Sequence, residues 1–337
     1  MSACVPQEVY YNKDLTYLMP QEEVDKVVKS IGVNERRIAR EEVCASDLCY
    51  EAAKKLFEDN DIDPQSIDVL LFMSQTADYR IPATAPILQH RLGLPNSTLC
   101  LDLTLGCSGF VYALSTAMAY AQMPSIKRAL LLDGETFSKI VSRNDKVDWP
   151  LYGDGATATL IEKGDDFGET IFMLHSDGSG ADNVMIRDGM RNPITKDSLT
   201  EKEIDNGNRL NGLQVYMNGM DVFNFAMRVV PRGVKEIAKE AGITTDEIDW
   251  LVFHQANRFM TDFFVKYLRF PAQKVPYCID RYGNTSSTSV PLTIVSELKD
   301  KLTSGQRVIM SGFGAGLSWG TVLMQVGNIN ISKIVEL

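Results

Sequence analysis

The sequence predicts an α/β protein in which two similar halves follow each other along the chain. Short apolar runs alternate with amphipathic segments of helical spacing, a pattern typical of strands connected by helices. Residues 62–76 (IDPQSIDVLLFMSQT) also align without a gap with residues 243–257 (ITTDEIDWLVFHQAN). The chain has 337 residues, of which 45% are hydrophobic, so it can fill a large core.

The predicted elements follow this alternation. They are a helix over 45–60, strands over 67–73, 129–132 and 156–161, a helix over 222–241, and strands over 250–253 and 307–310. Strands that alternate with helices favour a mostly parallel sheet covered on both faces. We expect the first half to end near 165–170, which gives halves of 1–170 and 171–337. The polar, Gly- and Asp-rich residues 176–211 are expected to form a long loop.

Composition excludes several classes of protein. The net charge is −10, with no basic run, which argues against nucleic-acid binding. No apolar stretch reaches the ~20 residues that span a bilayer, and the N-terminus lacks the pattern of a signal peptide, so we predict a cytoplasmic protein without membrane contact. The six cysteines include no CxxC pair and there are three histidines, so no metal site and no cofactor are predicted.

Cys107 is the first candidate for chemistry. It lies between an apolar strand (CLDLTL) and a helix of small residues (SGFVYALSTAMAYA), so the helix dipole and unpaired N–H groups favour a thiolate there. Flanking Gly106 and Gly109 allow a substrate to approach closely. Taken alone, Cys107 also fits a buried structural cysteine.

Two polar candidates lie in the second half. His254 follows the strand WLVF, at the carboxyl end where open α/β sheets place ligands. Asn284 stands in a cluster of small polar residues, GNTSSTSVP. Either residue also has a purely structural interpretation, as a hydrogen-bonded histidine at the sheet rim or as part of an ordinary loop and helix cap.

A glycine-rich segment, GFGAGLSWG (312–320), follows the strand RVIM. A dinucleotide-binding fingerprint should instead open a helix early in the fold, with an acidic residue ~20 positions further on. Here the glycines lead into another apolar run, TVLMQV. We interpret the segment as a tight loop that presents backbone N–H groups to a ligand.

Six segments, in order, resemble the thiolase-like condensing enzymes, and above all the 3-oxoacyl-acyl-carrier-protein synthase III family. They are IGVNERRIA, GCSGF, YGDGATATL, HQAN, GNTSSTSVP and GFGAGLSWG. The resemblance covers nearly the whole chain. It implies a thiolase-like, five-layered αβαβα core made of two duplicated halves, which agrees with the internal repeat, and it implies a homodimer.

The resemblance also implies a reaction, the decarboxylative Claisen condensation of a cysteine-bound acyl primer with malonyl-acyl carrier protein. Cys107 would take the acyl group as a thioester, while His254 and Asn284 bind the malonyl thioester carbonyl. Backbone N–H groups of Cys107 and Ala315 would form a second oxyanion hole. The product would be a 3-oxoacyl-acyl carrier protein, for fatty-acid or related lipid or polyketide biosynthesis. The implied active-site wall comprises Phe313, Gly314 and Ala315.

The resemblance implies an acyl pocket that includes Ile81, Met217 and Gly219. The family often has Phe where Ile81 stands, so we hypothesise that the pocket admits a longer or branched acyl chain. The family binds coenzyme A through a Trp and an Arg where this chain has Lys26 and Ser30. The primer is therefore either acyl-coenzyme A or, because these contacts are absent, acyl-acyl carrier protein.

Carrier protein is acidic, so docking on this acidic chain requires a local basic surface. Arg258, Lys266 and Arg269 follow HQAN at roughly helical spacing and are the candidates. The same residues also fit an ordinary solvated helix face.

Three other functions remain open from the sequence. The first is an acyltransferase that passes the Cys107 acyl group to a hydroxyl or amine. The second is a non-catalytic partner subunit, although such partners commonly lose the cysteine. The third is a cysteine hydrolase with a Cys-His-Asn triad, against which the motif order and the late glycine loop argue.

Overall fold

The computed structural model describes residues 1–164, 168–205 and 207–337. Its helices are α1 Gln21–Ile31, α2 Ala45–Asn60, α3 Thr84–Arg91, α4 Gly109–Ala121, α5 Gly219–Glu240, α6 Arg258–Leu268, α7 Ile279–Tyr282 and α8 Ser289–Glu297. Its strands are β1 Ser2–Val5, β2 Val9–Tyr11, β3 Glu35–Arg37, β4 Val69–Met73, β5 Leu99–Leu103, β6 Arg128–Glu135, β7 Gly155–Glu162, β8 Thr170–Ser176, β9 Val184–Ile186, β10 Lys202–Asp205, β11 Asn208–Leu210, β12 Val215–Met217, β13 Trp250–Phe253, β14 Arg307–Gly314, β15 Ser318–Gln325 and β16 Val335–Glu336.

Two large sheets share one arrangement of strands. The first has the order β16-β1-β7-β6-β4-β5 and the second the order β13-β14-β15-β8. In each sheet a parallel pair, β4 with β6 or β13 with β14, is followed by two antiparallel pairings. The strands β4-β6-β7-β1 therefore correspond in order and direction to β13-β14-β15-β8, as a duplication requires.

As predicted, most strands of each sheet run in one direction, but both sheets are mixed, because β7 in the first and β15 in the second run against their described neighbours. Buried strands read as continuous apolar runs whatever their direction, since neither face shows the alternation of a half-exposed antiparallel strand. Strand β15 also follows β14 after a short turn, which joins antiparallel neighbours directly.

Helices and sheets alternate in five layers. Helices α4 and α8 contact strands of both sheets and form the middle layer, whereas α2 and α3 cover the outer face of the first sheet and α5 and α6 cover that of the second. The predicted five-layered core is therefore confirmed. One stripe of α4, formed by Gly109, Ala113, Ala117 and Ala121, is buried and small, which lets the helix fit between two sheets. No helix in the described ranges is long and apolar enough to cross a bilayer.

The expected halves meet where the chain passes from the first sheet to the second. Strand β7 ends at Glu162 and β8 begins at Thr170, and residues 165–167 of the expected boundary lie outside the described residues. The expectation of a loop over 176–211 needs correction, because short strands occupy part of it. Strand β9 pairs with β12, and β10 pairs with β11. Strands this short, and largely exposed, leave no readable hydrophobic period.

Candidate active site

Cys107 lies in the turn between β5 and α4, just before the helix begins. Its Sγ atom is 3.7 Å from the hydroxyl of Ser286, a residue of the second half. A Cβ atom added to Gly314 would stand 3.2 Å from Sγ. Because glycine has no side chain, the backbone of β14 lies directly against the thiol. The candidate nucleophile therefore faces a wall that the other half supplies.

The surroundings of Cys107 favour the neutral thiol. Burial raises the pKa of the Cys107 thiol to about 12; the hydrogen bond with Ser286 opposes this shift, whereas the charge of Glu135 adds to it. Cys107 is partly exposed, and the thiolate expected at the helix N-terminus stays a prediction. Desolvation opposes the thiolate, whereas the helix dipole favours it.

His254 follows β13 and extends its pairing, since its backbone N–H donates to the carbonyl of Ser311 at 2.8 Å. Burial lowers the pKa of the imidazole to about 3, with the Ser286 carbonyl opposing the shift, so the ring is neutral. The edge of the ring lies against Phe313, with 5.2 Å between ring centroids. A neutral ring can donate one hydrogen bond without carrying charge.

Ser289 governs which nitrogen of His254 holds the hydrogen. Its hydroxyl oxygen is 2.7 Å from Nδ1 of His254 and 2.8 Å from the carbonyl oxygen of Ser286. The hydroxyl has one hydrogen to give. When it donates to Nδ1, the ring hydrogen is on Nε2, and Nε2 can then donate to a ligand.

Asn284 is fixed at its backbone and at its amide oxygen. Its N–H donates to Leu151 at 2.8 Å, and its carbonyl accepts from Gly153 at 3.1 Å. Its Oδ1 atom accepts from the N–H of Ser286 at 2.8 Å. This bond fixes the orientation of the amide, with Nδ2 pointing away from the Ser286 N–H. Within the described ranges Nδ2 has no hydrogen-bond acceptor.

Ser286 connects the candidate residues, although the sequence did not single it out. Its hydroxyl contacts Cys107, its N–H contacts Asn284, and its carbonyl lies near His254. It has a positive φ of 52°, which is uncommon for a residue with a side chain. The cluster GNTSSTSVP was the available signal, but nothing in it distinguishes one serine from the next.

The predicted wall residues lie on the late glycine loop and the end of β14, next to the loop that carries Cys107. A Cβ atom on Gly106 would be 3.2 Å from the backbone nitrogen of Ala315, so the late glycine loop meets the nucleophile loop directly. Together with the contacts of Phe313 and Gly314, this places the whole wall around Cys107 and His254. In the described ranges no three His, Cys, Asp or Glu side chains are arranged to hold a metal ion.

The predicted acyl-pocket residues are not assembled together. Met217 is 3.9 Å, at its sulfur, from the hydroxyl of Tyr152, which is buried near Cys107. In contrast, Ile81 is 88% exposed, and the neighbourhood of Gly219 is open, with nothing within 4 Å of an added Cβ atom. Ile81 is therefore not enclosed within a single chain, and its place in the acyl pocket stays a prediction.

The predicted docking residues differ in their surroundings. Arg258 is paired with Asp262 at 2.9 Å and stacked on Tyr277 at 3.8 Å. Lys266 and Arg269 are exposed near the end of α6. Exposed aromatic side chains run along the same helix, at Phe259, Phe263 and Tyr267.

Arg36 and two acidic residues near the site were also missed. Arg36 is buried, donates to the carbonyls of Trp149 and Tyr152, and so holds the segment that contacts Asn284. Asp133 and Glu135, at the end of β6, are fully buried. Burial raises their pKa values to about 7 and about 8. The apolar run before them predicted a strand but gave no sign that the two acids at its end are buried.

A cavity of about 850 Å³ lies towards the far end of α4, with Leu114, Met118 and Gln122 among its lining residues. None of Cys107, His254 and Asn284 lines it. The cavity is therefore separate from the candidate active site.

Comparisons with known proteins agree with this geometry. Residues 101–180 match the family described as 3-oxoacyl-[acyl-carrier-protein (ACP)] synthase III, and residues 238–326 match the C-terminal part of that family. A beta-ketoacyl-[acyl-carrier-protein] synthase III of Bordetella petrii is 32% identical over 333 residues, which cover 96% of this chain and 95% of the relative.

Solved structures give the same result. The crystal structure of a 3-oxoacyl-(acyl-carrier protein) synthase from Burkholderia xenovorans is 38% identical, with a TM-score of 0.93 over 100% of this chain and 95% of the other. The 3-oxoacyl-(acyl carrier protein) synthase III of Pseudomonas aeruginosa is 28% identical, with a TM-score of 0.83 over 97% of both chains.

Proposed function

The chain belongs to the 3-oxoacyl-[acyl-carrier-protein] synthase III family, and we propose that Cys107, His254 and Asn284 carry out the family's reaction in it. It is a condensing enzyme that joins an acyl primer to malonyl-acyl carrier protein in fatty-acid biosynthesis. The observation that supports the residue assignment is the position of Ser286, which contacts both the Cys107 thiol and the Asn284 amide.

The first step transfers the primer to Cys107. The sulfur of Cys107 forms a bond to the acyl carbonyl carbon, the bond from that carbon to the carrier sulfur breaks, and the thiol proton passes to the departing carrier thiolate. This exchange of one neutral thiol for another suits a buried site in which the pKa of Cys107 is about 12. Backbone N–H groups of Cys107 and Ala315 would stabilise the oxyanion.

The second step forms the carbon–carbon bond. Loss of carbon dioxide from the malonyl thioester leaves enolate charge on its carbonyl oxygen, where Nε2–H of His254 and Nδ2–H of Asn284 would donate. One such donor stabilises a transition state by roughly 3 kcal/mol. The enolate carbon then attacks the acyl carbonyl, and the Cys107 thiolate leaves and is reprotonated. Because burial lowers the pKa of His254 to about 3, its ring is neutral near pH 7 and would act as a hydrogen-bond donor to the enolate oxygen.

Intact-protein mass spectrometry tests the assignment of the nucleophile. Wild type and Cys107→Ala are incubated with acyl-coenzyme A and acyl-carrier-protein thioesters of increasing chain length. We expect a mass gain on the wild type alone, and the donors that produce it identify the primer and its carrier. A mass gain on Cys107→Ala, or no gain on the wild type with any donor, would contradict the assignment.

We propose that carrier protein docks on α6, with Lys266 and Arg269 supplying charge, Arg258 shaping the surface through Tyr277, and the exposed aromatic residues beside them supplying apolar contact. Charge reversal of both Lys266 and Arg269 should raise KM for malonyl-acyl carrier protein and leave acylation by a small acyl-coenzyme A unchanged. Unchanged KM would remove the docking proposal. Reversal of Lys163, which lies at the end of β7, is the control.

We propose a homodimer that pairs along β5. In the described ranges β5 is an edge strand, and its Leu99 and Leu101 are each 37% exposed. An exposed apolar edge strand invites pairing with a second chain. In such a dimer Ile81, at the same side of the sheet, would contribute to the acyl pocket across the interface, and its size would admit longer or branched primers.

We further propose that the two halves divide near residue 170, on the basis of the matching strand orders. A cytoplasmic location is proposed because all six cysteines are unpaired, which suits a reducing compartment.

A further inference from the structure

Asp133 links the two halves beside the candidate active site. Its Oδ1 atom accepts from the hydroxyl of Ser287 at 2.6 Å and from that of Thr288 at 3.0 Å. Asp133 lies near the end of β6 in the first half, whereas both donors belong to the second half. All three side chains are buried, so water cannot easily take the place of a lost partner. Breaking these hydrogen bonds would therefore cost free energy.

The two donors stand in the middle of the segment that carries the condensation groups, residues 284–289, here called the amide loop. Before them lie Asn284 and Ser286, and after them lies Ser289, which contacts the His254 ring. Ser286 has the positive φ described above, a conformation that persists only where neighbouring contacts hold it. The bonds to Asp133 are the side-chain contacts that tie the centre of this loop to the first half.

The ionisation of Asp133 does not decide this role. Burial raises its pKa to about 7, with the Ser287 and Thr288 hydroxyls opposing the shift. Either form of the carboxyl group offers Oδ1 as an acceptor. Its Oδ2 atom is buried with no partner recorded in the described ranges, so the contact depends on one oxygen atom.

We propose that Asp133 is a positioning residue for the condensation step, holding the amide loop where Asn284 and His254 meet the malonyl thioester. The inference rests on the proposed function of those two residues. The loop also touches the nucleophile, through Ser286, but at 3.7 Å from the Cys107 sulfur this is a weak contact, so acylation should be affected far less than condensation. A merely structural role would reduce both steps together, through the folded fraction.

The test compares Asp133→Ala with Asp133→Asn. Asn keeps an acceptor oxygen at the same place, whereas Ala removes it. We expect Asp133→Ala to lower kcat of condensation roughly 10- to 100-fold, because a small misplacement of catalytic groups has effects of that order. Primer acylation, measured by quenched mass spectrometry, should stay near the wild-type rate. Asp133→Asn should restore both steps.

Several outcomes would overturn the proposal. These are equal losses in acylation and condensation, no loss in either, or an Asp133→Asn variant as impaired as Asp133→Ala. Should Asp133→Ala fail to fold, Ser287→Ala removes one donor and leaves the acid, and it should lower condensation selectively. Asn284→Ala separates the two proposals. Normal condensation by Asn284→Ala would contradict the proposed function. If Asn284→Ala does not condense but Asp133→Ala does, only the positioning role is contradicted.

Discussion

The ends of β6 and β14 occupy equivalent places in the two halves but hold their neighbouring loops in opposite ways. Leu132 pairs with Phe72 as Ser311 pairs with Phe253, so Asp133 and Glu135 correspond to Gly312 and Gly314. On β14 the glycines let the backbone touch the nucleophile loop, since a Cβ atom on Gly312 would be 2.8 Å from the carbonyl oxygen of Cys107. On β6 Asp133 reaches the amide loop with its side chain.

A second equivalent pair differs in the same way. Met73 and His254 are aligned in the repeat, each at the carboxyl end of its strand. Met73 packs against Gly109, where an added Cβ atom would stand 2.3 Å from its methyl carbon, whereas His254 packs against Phe313 of β14. Duplication thus supplies two matching frameworks. In the proposed assignment, the first half presents the nucleophile and the second presents the hydrogen-bond donors.

The largest expected effect is a difference in kcat between variants of the equivalent residues His254 and Met73. His254→Ala should lower kcat of condensation about 100- to 1000-fold, because one oxyanion donor is lost from a buried site. Met73→Leu, the matched control, should lower stability by less than about 1.5 kcal/mol and leave kcat unchanged, because it conserves volume. Steady-state kinetics and chemical denaturation provide the two measurements. Equal kinetic losses would mean that the halves do not divide the chemistry.

A smaller effect is expected where glycine permits close contact. Gly314→Ala places a methyl group 3.0 Å from Cβ of Cys107, and overpacking of this kind costs about 1–3 kcal/mol. We expect slower acylation and a lower free energy of unfolding. Gly178→Ala, where an added Cβ atom meets nothing within 4 Å, is the control and should match the wild type. Normal acylation by Gly314→Ala would show that β14 does not press on the thiol.

A third effect, on the pH dependence of stability, concerns the acid at the end of β6. Burial raises the pKa of Glu135 from 4.5 to about 8, with Thr76, Gln75 and Ser74 donating to it and Asp133 adding repulsion. The folded state therefore binds this proton more tightly than the unfolded state. Its stabilising contribution is full below pH 4.5 and is lost as pH rises towards 8. Relative to Glu135→Gln, the wild type should lose free energy of unfolding across that window, and a constant difference would contradict the shifted pKa.

The sequence supported some features better than others, for physical reasons. Helix α2 matches its predicted range because its apolar spacing and ends are local signals. The reversed strands β7 and β15 were missed because buried strands look alike in either direction. Strand ends and motif order were the signals that predicted Cys107, His254 and Asn284. Ser286 and Asp133 were not, because their roles arise from contacts between residues more than a hundred positions apart.

One measurement tests the division of chemistry between the halves most directly. Asn284→Ala is mixed with the primer thioester identified for the wild type, and samples are quenched and analysed by intact-protein mass spectrometry. The remaining acyl-enzyme is then supplied with malonyl-acyl carrier protein. We expect an acyl-enzyme on Cys107 that forms at the wild-type rate and then persists, with little 3-oxoacyl product. An Asn284→Ala variant that forms no acyl-enzyme, or one that condenses at the wild-type rate, would contradict this division.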